Sequence, residues 1–238
     1  MTFIDKYWDD IQPTVKEGNS GAECVAESFM YPWNHDNANM DMMCKAIKIL
    51  NPKVVIELGT FEGFGTEKMA NAMDKGTLYT FDAGEAPVDV FLGETYGVTK
   101  EFKYKKWLVD WKNIKFPGWE SFGKVIDKRN DRVSADYGDV KVSFIEGMTF
   151  DTLPKALPKI GKWDFLFQDS IHGLEFILKE WRLVKKYSKK GSIIVMDDVS
   201  LTLPSGIEVV NHFKKKEPMW QWQHTSIGHG QLWGEKKK

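Results

Sequence analysis

The segment that decides the fold of this chain is Val54-Val55-Ile56-Glu57-Leu58-Gly59-Thr60-Phe61-Glu62-Gly63-Phe64-Gly65-Thr66. It opens as a β-branched, apolar run bounded by Pro52 and a glycine, which is the pattern of a strand buried on both faces of a parallel sheet. A glycine-rich turn and a helical pattern over residues 66–75 follow. Since glycines allow close backbone approach and a helix N-terminus offers free N–H groups, this unit indicates half of a site for a nucleotide-like cofactor.

The spacing of the glycines distinguishes between two kinds of cofactor. A dinucleotide site has the pattern G-x-G-x-x-G. Here Gly59, Gly63 and Gly65 form G-x-x-x-G-x-G, and Glu57 stands at the strand end. A carboxylate there suits a cofactor with a cationic end and would repel a pyrophosphate. The motif resembles motif I of class I S-adenosylmethionine-dependent methyltransferases, and a glycine turn in an unrelated α/β protein is the alternative.

This resemblance implies which residues contact the cofactor. In the turn they are Glu57, Gly59, Thr60, Phe61 and Gly63.

Length, charge and cysteine content narrow the class of protein. The chain has 238 residues and a formal net charge of −1, which favours one domain and gives no global field for nucleic acid or membranes. Its two cysteines, Cys24 and Cys44, form no metal or disulfide pattern, and residues 1–10 do not resemble a signal peptide. We therefore expect a cytoplasmic protein that has neither nucleic-acid nor membrane partners.

Strand and helix patterns alternate along the rest of the chain. Strands are predicted at 53–58, 77–81, 140–145, 163–168 and 192–196, and a terminal hairpin is predicted at 219–233. Five strand–helix units with a final hairpin predict an α/β fold: a doubly wound, Rossmann-like, seven-stranded sheet with a C-terminal antiparallel hairpin. Pro154 and Pro158 predict a broken connection over 149–160, and residues 235–238 a frayed tail.

Two segments lie outside that pattern. Residues 1–39 are interpreted as an N-terminal cover segment before the main domain at 40–238, and residues 84–139 as a helical lid insertion. Residues 100–132 carry ten Lys or Arg, five Asp or Glu and several aromatic side chains. This composition suits an anionic or glycosylated small-molecule acceptor, or else a solvated helix face with a packed underside.

Acidic residues follow nearly every predicted strand. In open α/β sheets, ligands bind at the carboxyl ends of the strands. Asp82 is therefore expected to hydrogen-bond cofactor ribose hydroxyls, and Asp169, Asp197 and Asp198 to converge beside the glycine turn. Close carboxylates repel one another, and a divalent cation such as Mg²⁺ would relieve the repulsion. The alternatives are that Asp197 or Asp198 caps a turn and that Asp169 pairs with the cofactor alone.

Residues 163–172 and 191–198 carry a sharper resemblance. They read Trp-Asp-Phe-Leu-Phe-Gln-Asp-Ser-Ile-His and Gly-Ser-Ile-Ile-Val-Met-Asp-Asp, and they resemble metal-dependent small-molecule O-methyltransferases, including catechol-type enzymes and their macrolide-sugar and cephalosporin-biosynthesis relatives. The resemblance implies that Asp169, Asp197 and Asp198 hold the metal. Catechol-type members have Lys where His172 stands, which favours a sugar or secondary metabolite over a catechol. His172 is then a candidate base, because imidazole accepts a proton at neutral pH.

The leading hypothesis is thus an S-adenosylmethionine-dependent, Mg²⁺-assisted O-methyltransferase, with Asp169 and His172 as catalytic residues. The resemblance also implies a homo-oligomer. A nicotinamide-dependent oxidoreductase and a non-catalytic methyltransferase-like module are the competing hypotheses.

Overall fold

The computed structural model describes residues 1–12, 38–60, 64–82, 125–129, 132–137 and 139–237. The strands are β1 (Val54–Leu58), β2 (Gly76–Asp82), β3 (Val125–Arg129), β4 (Arg132–Tyr137), β5 (Val140–Glu146), β6 (Trp163–Gln168), β7 (Ser188–Met196), β8 (Trp220–Thr225) and β9 (Gln231–Lys236). The helices are α1 (Phe3–Ile11), α2 (Ala38–Leu50), α3 (Phe64–Ala72), α4 (Thr149–Ile160), α5 (Leu174–Val184) and α6 (Pro204–Lys216).

All the described strands form one sheet in the order β3-β4-β5-β2-β1-β6-β7-β9-β8. The five central strands, from β5 to β7, are parallel, whereas β9 pairs antiparallel with β7 and β8 with β9. The seven strands from β5 to β8 confirm the predicted sheet and its terminal hairpin. The strand order reverses between β1 and β6, so the ends of those two strands lie at the topological switch point, where α/β proteins bind their ligands.

The central strands are apolar on both faces because helices cover both. Alternate residues of β1 and β6, such as Val55 and Phe165, pack with α1, α2 and α3 on one side. Their neighbours Ile56 and Leu166 pack with α4, α5 and α6 on the other. Each face thus removes apolar surface from water, and the doubly wound interpretation is confirmed.

The described end of the lid insertion differs from the prediction. Residues 125–129 and 132–137 were predicted to be helical or loop-like, but they form β3 and β4, and β4 pairs antiparallel with β5. Pairing with β4 satisfies the backbone groups on the outer side of β5, and this outweighs the helical pattern in this part. Residues 84–124 lie outside the described residues.

Two local predictions are wrong for identifiable reasons. The prolines at 154 and 158 do not break α4, because both lie on its exposed side, where water reaches the carbonyls they leave unbonded, and Leu153 and Leu157 anchor the other side. The described part of the tail is not frayed either, because Glu235 and Lys236 belong to β9 and Glu235 is buried.

The described part of the cover segment is helix α1, whose N-terminus has a capping box formed by Thr2 and Asp5. The helix lies against the hairpin, where Glu235 accepts the N–H of Ile4 at 2.8 Å and Gln221 donates to Asp5 at 2.6 Å. Residues 13–37, for which a cover over the cofactor site was predicted, lie outside the described residues. No helix in the described ranges is long and apolar enough to cross a membrane.

Candidate active site

The glycine turn begins where β1 leaves the sheet. Gly59 has a φ of +94°, and its N–H donates to the carbonyl of Phe81 at 2.8 Å. A Cβ atom at this position would lie 2.0 Å from the carbonyl oxygen of Asp169. Only glycine fits, since the end of β6 passes directly against the turn.

The next residue connects the turn to β2. The N–H of Thr60 donates to Oδ2 of Asp82 at 2.9 Å, and the Thr60 and Thr80 hydroxyl groups share a short hydrogen bond. Asp82 therefore lies beside the glycine turn, as its predicted role requires, and one of its oxygens holds the turn in place. Phe61 and Gly63 lie outside the described residues.

Glu57 lies beneath the turn and is only 1% exposed. Its Oε2 accepts the hydroxyl of Thr66 at 2.5 Å and that of Thr80 at 2.6 Å, which joins β1 to α3 and β2. Burial raises the pKa of Glu57 to about 8, against the lowering effect of these hydroxyl groups. The structure thus gives Glu57 a place in the support of the turn, in addition to the cofactor contact predicted for it.

Asp169 and Asp197 are brought together by the pairing of β6 with β7. The last paired residues are Gln168 and Met196. The ladder continues for one step, because the N–H of Asp197 donates to the carbonyl of Gln168 at 3.0 Å. The two aspartates therefore follow adjacent strand ends at the switch point. Asp198 comes next and has a φ of +55°, a conformation that costs energy outside glycine and that is concentrated at functional sites.

Asp169, His172 and Asp198 form a polar cluster at this edge. One ligand atom from each lies within 4.8 Å of the other two. The His172 side chain is 7% exposed, with Nδ1 3.3 Å from Oδ2 of Asp198 and Nε2 3.6 Å from Oδ1 of Asp169. The predicted convergence of residues from β6 and β7 is thus found, with His172 inside the cluster and Asp197 beside it.

The carboxylates of the cluster repel one another. Burial and the charges of Asp197 and Asp198 raise the pKa of Asp169 well above its ordinary range. Burial and the charge of Asp198 raise the pKa of Asp197 to about 7. A cation among these oxygens would offset both effects.

Sequence reasoning missed Glu180, a second buried acid that supports this edge. It lies on α5 and is 1% exposed. Its carboxylate accepts from Thr149 at 2.6 Å, from Ser170 at 2.7 Å and from Nε2 of Gln168 at 3.0 Å. Gln168 and Ser170 flank Asp169, so Glu180 holds the side chains on both sides of that aspartate. Its pKa is raised by burial.

The terminal hairpin also reaches the site. Nδ1 of His229, in the turn between β8 and β9, lies 3.8 Å from Oδ1 of Asp198. Nε2 of Gln231 donates to Oδ1 of Asp197 at 2.9 Å. The predicted terminal hairpin was the sequence signal for His229 and Gln231. An antiparallel β9 beside β7 places the turn between β8 and β9 at the carboxyl edge of the sheet.

The class I methyltransferase fold is defined by three features that this chain has. They are a doubly wound sheet with an antiparallel terminal hairpin, a glycine turn at the switch point, and acids on the neighbouring strand ends. The sequence model of a methyltransferase domain matches residues 56–199, more than half of the chain. The chain belongs to this family and is an S-adenosylmethionine-dependent methyltransferase. Among curated proteins, no sequence matches the chain.

Solved structures support the fold. The O-methyltransferase TomG from Streptomyces achromogenes, involved in tomaymycin synthesis and solved with S-adenosylmethionine, is 16% identical, with a TM-score of 0.54 over 100% of this chain and 97% of its own. An O-methyltransferase from Bacillus cereus, solved with S-adenosylhomocysteine, is 15% identical, with a TM-score of 0.52 over 99% and 98%. At these identities the similarity establishes the architecture.

Proposed function

We propose that this enzyme transfers the methyl group of S-adenosylmethionine to a hydroxyl of a small molecule, a sugar or secondary metabolite, with the help of a divalent cation. The observation that carries the proposal is the cluster of Asp169, His172 and Asp198 at the switch point, where the ligand atoms lie within 4.8 Å of one another. Transfer to oxygen is favoured because a hydroxyl needs activation, and this cluster offers both a cation site and a base.

The donor set fits a hard divalent cation. Carboxylate oxygens are the ligands that Mg²⁺ prefers, and Asp169, Asp197 and Asp198 supply three carboxylates within a short stretch of two adjacent strand ends. Burial, together with the charges of neighbouring carboxylates, raises the pKa values of Asp169 and Asp197, and a bound cation would oppose both effects. When bound, a cation there would polarise the acceptor hydroxyl and lower its pKa.

The protein's own residues would bind the reactants and accept the proton. The glycine turn lets the backbone approach the cofactor, Glu57, Thr60, Phe61 and Gly63 would contribute the rest of that wall, and the second carboxylate oxygen of Asp82 would hold its ribose. Nδ1 of His172 lies 3.3 Å from Asp198, closer than Nε2 lies to Asp169 at 3.6 Å, so we assign proton acceptance from the acceptor hydroxyl to Nε2. The buried position of the ring, 7% exposed, keeps bulk water from competing for that proton.

The proposal is tested by following transfer of an isotopically labelled methyl group from S-adenosylmethionine to a panel of hydroxylated sugars, phenols and amines, with Mg²⁺ or with excess chelator. We expect transfer to at least one hydroxyl with Mg²⁺ and its loss with the chelator. Equal transfer in the two conditions would remove the cation from the mechanism, and transfer only to amines would remove the O-methyltransferase assignment.

A further inference from the structure

The terminal hairpin does more than close the edge of the sheet. We infer that Gln231, held in a single orientation by Trp233, is a positioning residue that fixes the carboxylate of Asp197. The inference rests on the proposed function, because it gives this carboxylate a place among the ligands of the cation. It assigns a positioning role to Gln231 and Trp233, two residues of β9.

The strand register explains why Gln231 meets Asp197. Strands β7 and β9 are antiparallel, and Met196 pairs with Leu232 at the end of the ladder. The next residues in each direction are therefore cross-strand neighbours. Nε2 of Gln231 donates to Oδ1 of Asp197 at 2.9 Å across this position.

Trp233 fixes which end of the amide faces the aspartate. An indole nitrogen can only donate, and Nε1 of Trp233 donates to Oε1 of Gln231 at 3.1 Å. The amide nitrogen must then point to Asp197. Gln231 and Trp233 are both 0% exposed, so water cannot replace either bond. If the amide were flipped, its NH₂ group would face the N–H of Trp233 and its oxygen would face the carboxylate of Asp197. Only the observed orientation therefore allows both hydrogen bonds.

The same hairpin holds the backbone that follows the two aspartates. The N–H of Val199 donates to the carbonyl of Gly230 at 3.0 Å, and the carbonyl of Val199 lies 2.7 Å from Nε2 of His224. Asp198, in its left-handed conformation, thus lies between two positions that the hairpin fixes. Strain of that kind persists only where the surrounding structure determines it, and here the hairpin does so.

Partners of this kind orient metal ligands, and their removal commonly reduces metal affinity by about 10- to 100-fold. The test variant is Gln231→Met, which keeps the length of the side chain and removes the donor. The matched control is Gln223→Met, since Gln223 is exposed on the neighbouring strand β8. The probe is Mn²⁺, whose free concentration is read by electron paramagnetic resonance, and S-adenosylhomocysteine affinity is measured by calorimetry on the same samples.

We expect Gln231→Met to weaken Mn²⁺ binding by about tenfold, with S-adenosylhomocysteine affinity within about twofold of the wild type. The control should match the wild type in both. A purely structural role would instead lower the melting temperature and leave Mn²⁺ affinity unchanged, and that result would overturn the inference. Failure of the wild type to bind Mn²⁺ would contradict the proposed cation site itself and so is a different outcome.

A second variant tests whether Trp233 orients the Gln231 amide towards Asp197. This test remains valid even if the Gln231→Met variant folds poorly. Trp233→Phe frees the amide to rotate and should weaken Mn²⁺ binding by about threefold, the value of one neutral hydrogen bond. Because Trp233 acts through Gln231, adding Trp233→Phe to Gln231→Met should not weaken Mn²⁺ binding any further. Additive effects, or an unchanged affinity in Trp233→Phe, would contradict the proposed orientation.

Discussion

Two groups of acids lie near the strand ends of this fold, and their surroundings differ. Glu57 and Glu180 are each 1% exposed, and each is surrounded by donors from its own scaffold. Hydroxyls of Thr66 and Thr80 bond to Glu57, and hydroxyls of Thr149 and Ser170, with the amide of Gln168, bond to Glu180. These acids connect secondary-structure elements, and their hydrogen bonds offset part of the cost of burial.

The acids at the switch point are held in a different environment. The side chains of Asp169 and Asp198 are 38% and 24% exposed. Burial raises the pKa of Asp169, and the charges of neighbouring carboxylates raise it further. The fold thus leaves repulsion between carboxylates at the switch point, where a bound cation can relieve it, and it surrounds Glu57 and Glu180 with hydroxyl and amide donors. The hydrogen-bond donors around each carboxylate thus distinguish the supporting acids, Glu57 and Glu180, from the functional aspartates, although all of these acids lie near strand ends.

The largest expected effect comes from removing one functional acid. Asp169→Asn should reduce methyl transfer by about 10³-fold, because a metal ligand supplies several kcal/mol of charge stabilisation, and it should abolish measurable Mn²⁺ binding. The same change should raise the melting temperature of the metal-free protein, since it removes repulsion. Activity assays, Mn²⁺ titration and thermal melts provide the three readouts.

The matched control is Glu146→Gln, because Glu146 is an exposed acid at the end of β5 on the same edge of the sheet. It should leave all three readouts unchanged. Equal losses in the two variants would indicate a general electrostatic effect of this edge and not a cation site.

The second effect concerns His172. His172→Ala should lower kcat by about 10²- to 10⁴-fold, the range for a general base, with S-adenosylhomocysteine and Mn²⁺ affinities preserved. Single-turnover rates and the two titrations measure these quantities. A large fall in Mn²⁺ affinity would instead make His172 a ligand of the cation, as its place in the cluster also allows, and would rule out the assignment as base.

The third effect tests the supporting acids. Glu180→Ala should destabilise the protein by about 3 kcal/mol, because it leaves buried donors on Thr149, Ser170 and Gln168 unsatisfied. Glu180→Gln should cost less, since its amide oxygen still accepts. The measurement is urea denaturation, with Glu175→Ala on the exposed side of the same helix as control. An equal midpoint shift in the Glu180→Ala and Glu175→Ala variants would contradict the supporting role.

The smallest effect is the pH dependence of stability due to Glu57. Its pKa in the folded protein, about 8, is above the ordinary value of 4.5, so the folded state binds more protons than the unfolded state between those values. The contribution of this group is therefore complete below about pH 4.5 and is lost as the pH rises towards 8.

Glu57→Gln removes the titrating group and should make the melting temperature decline less between pH 5.5 and 8 than in the wild type. Melts at several pH values across that range measure the slope. Parallel curves for the two proteins would show that Glu57 is already ionised when folded, which would contradict its assignment to the buried, satisfied class.

The sequence predicted the features that depend on local pattern. Strand β6 was predicted at its observed bounds, and β1, β7 and the hairpin differ only at their ends, because buried strands have a continuous apolar pattern that helices and turns interrupt. The acids at strand ends could also be placed together, since parallel strands bring their carboxyl ends to one edge.

The sequence could not predict the contacts that depend on distant partners. Glu180 meets Thr149 across 31 residues and Gln231 meets Asp197 across 34, and neither spacing carries a local signal. The capping box of α1 did have a signal, Thr2 with Asp5, that could have identified the helix. Strands β3 and β4 were missed because they join the sheet through the pairing of β4 with β5, which is a tertiary interaction.

The most direct test of the central claim is a crystal structure with S-adenosylhomocysteine and Mn²⁺, using data collected at a wavelength where manganese scatters anomalously. The account predicts an anomalous peak in contact with carboxylate oxygens of Asp169, Asp197 and Asp198, next to the product's sulfur and beside the glycine turn at Gly59. A structure with S-adenosylhomocysteine bound, Mn²⁺ at saturating concentration and no peak at these carboxylates would contradict it.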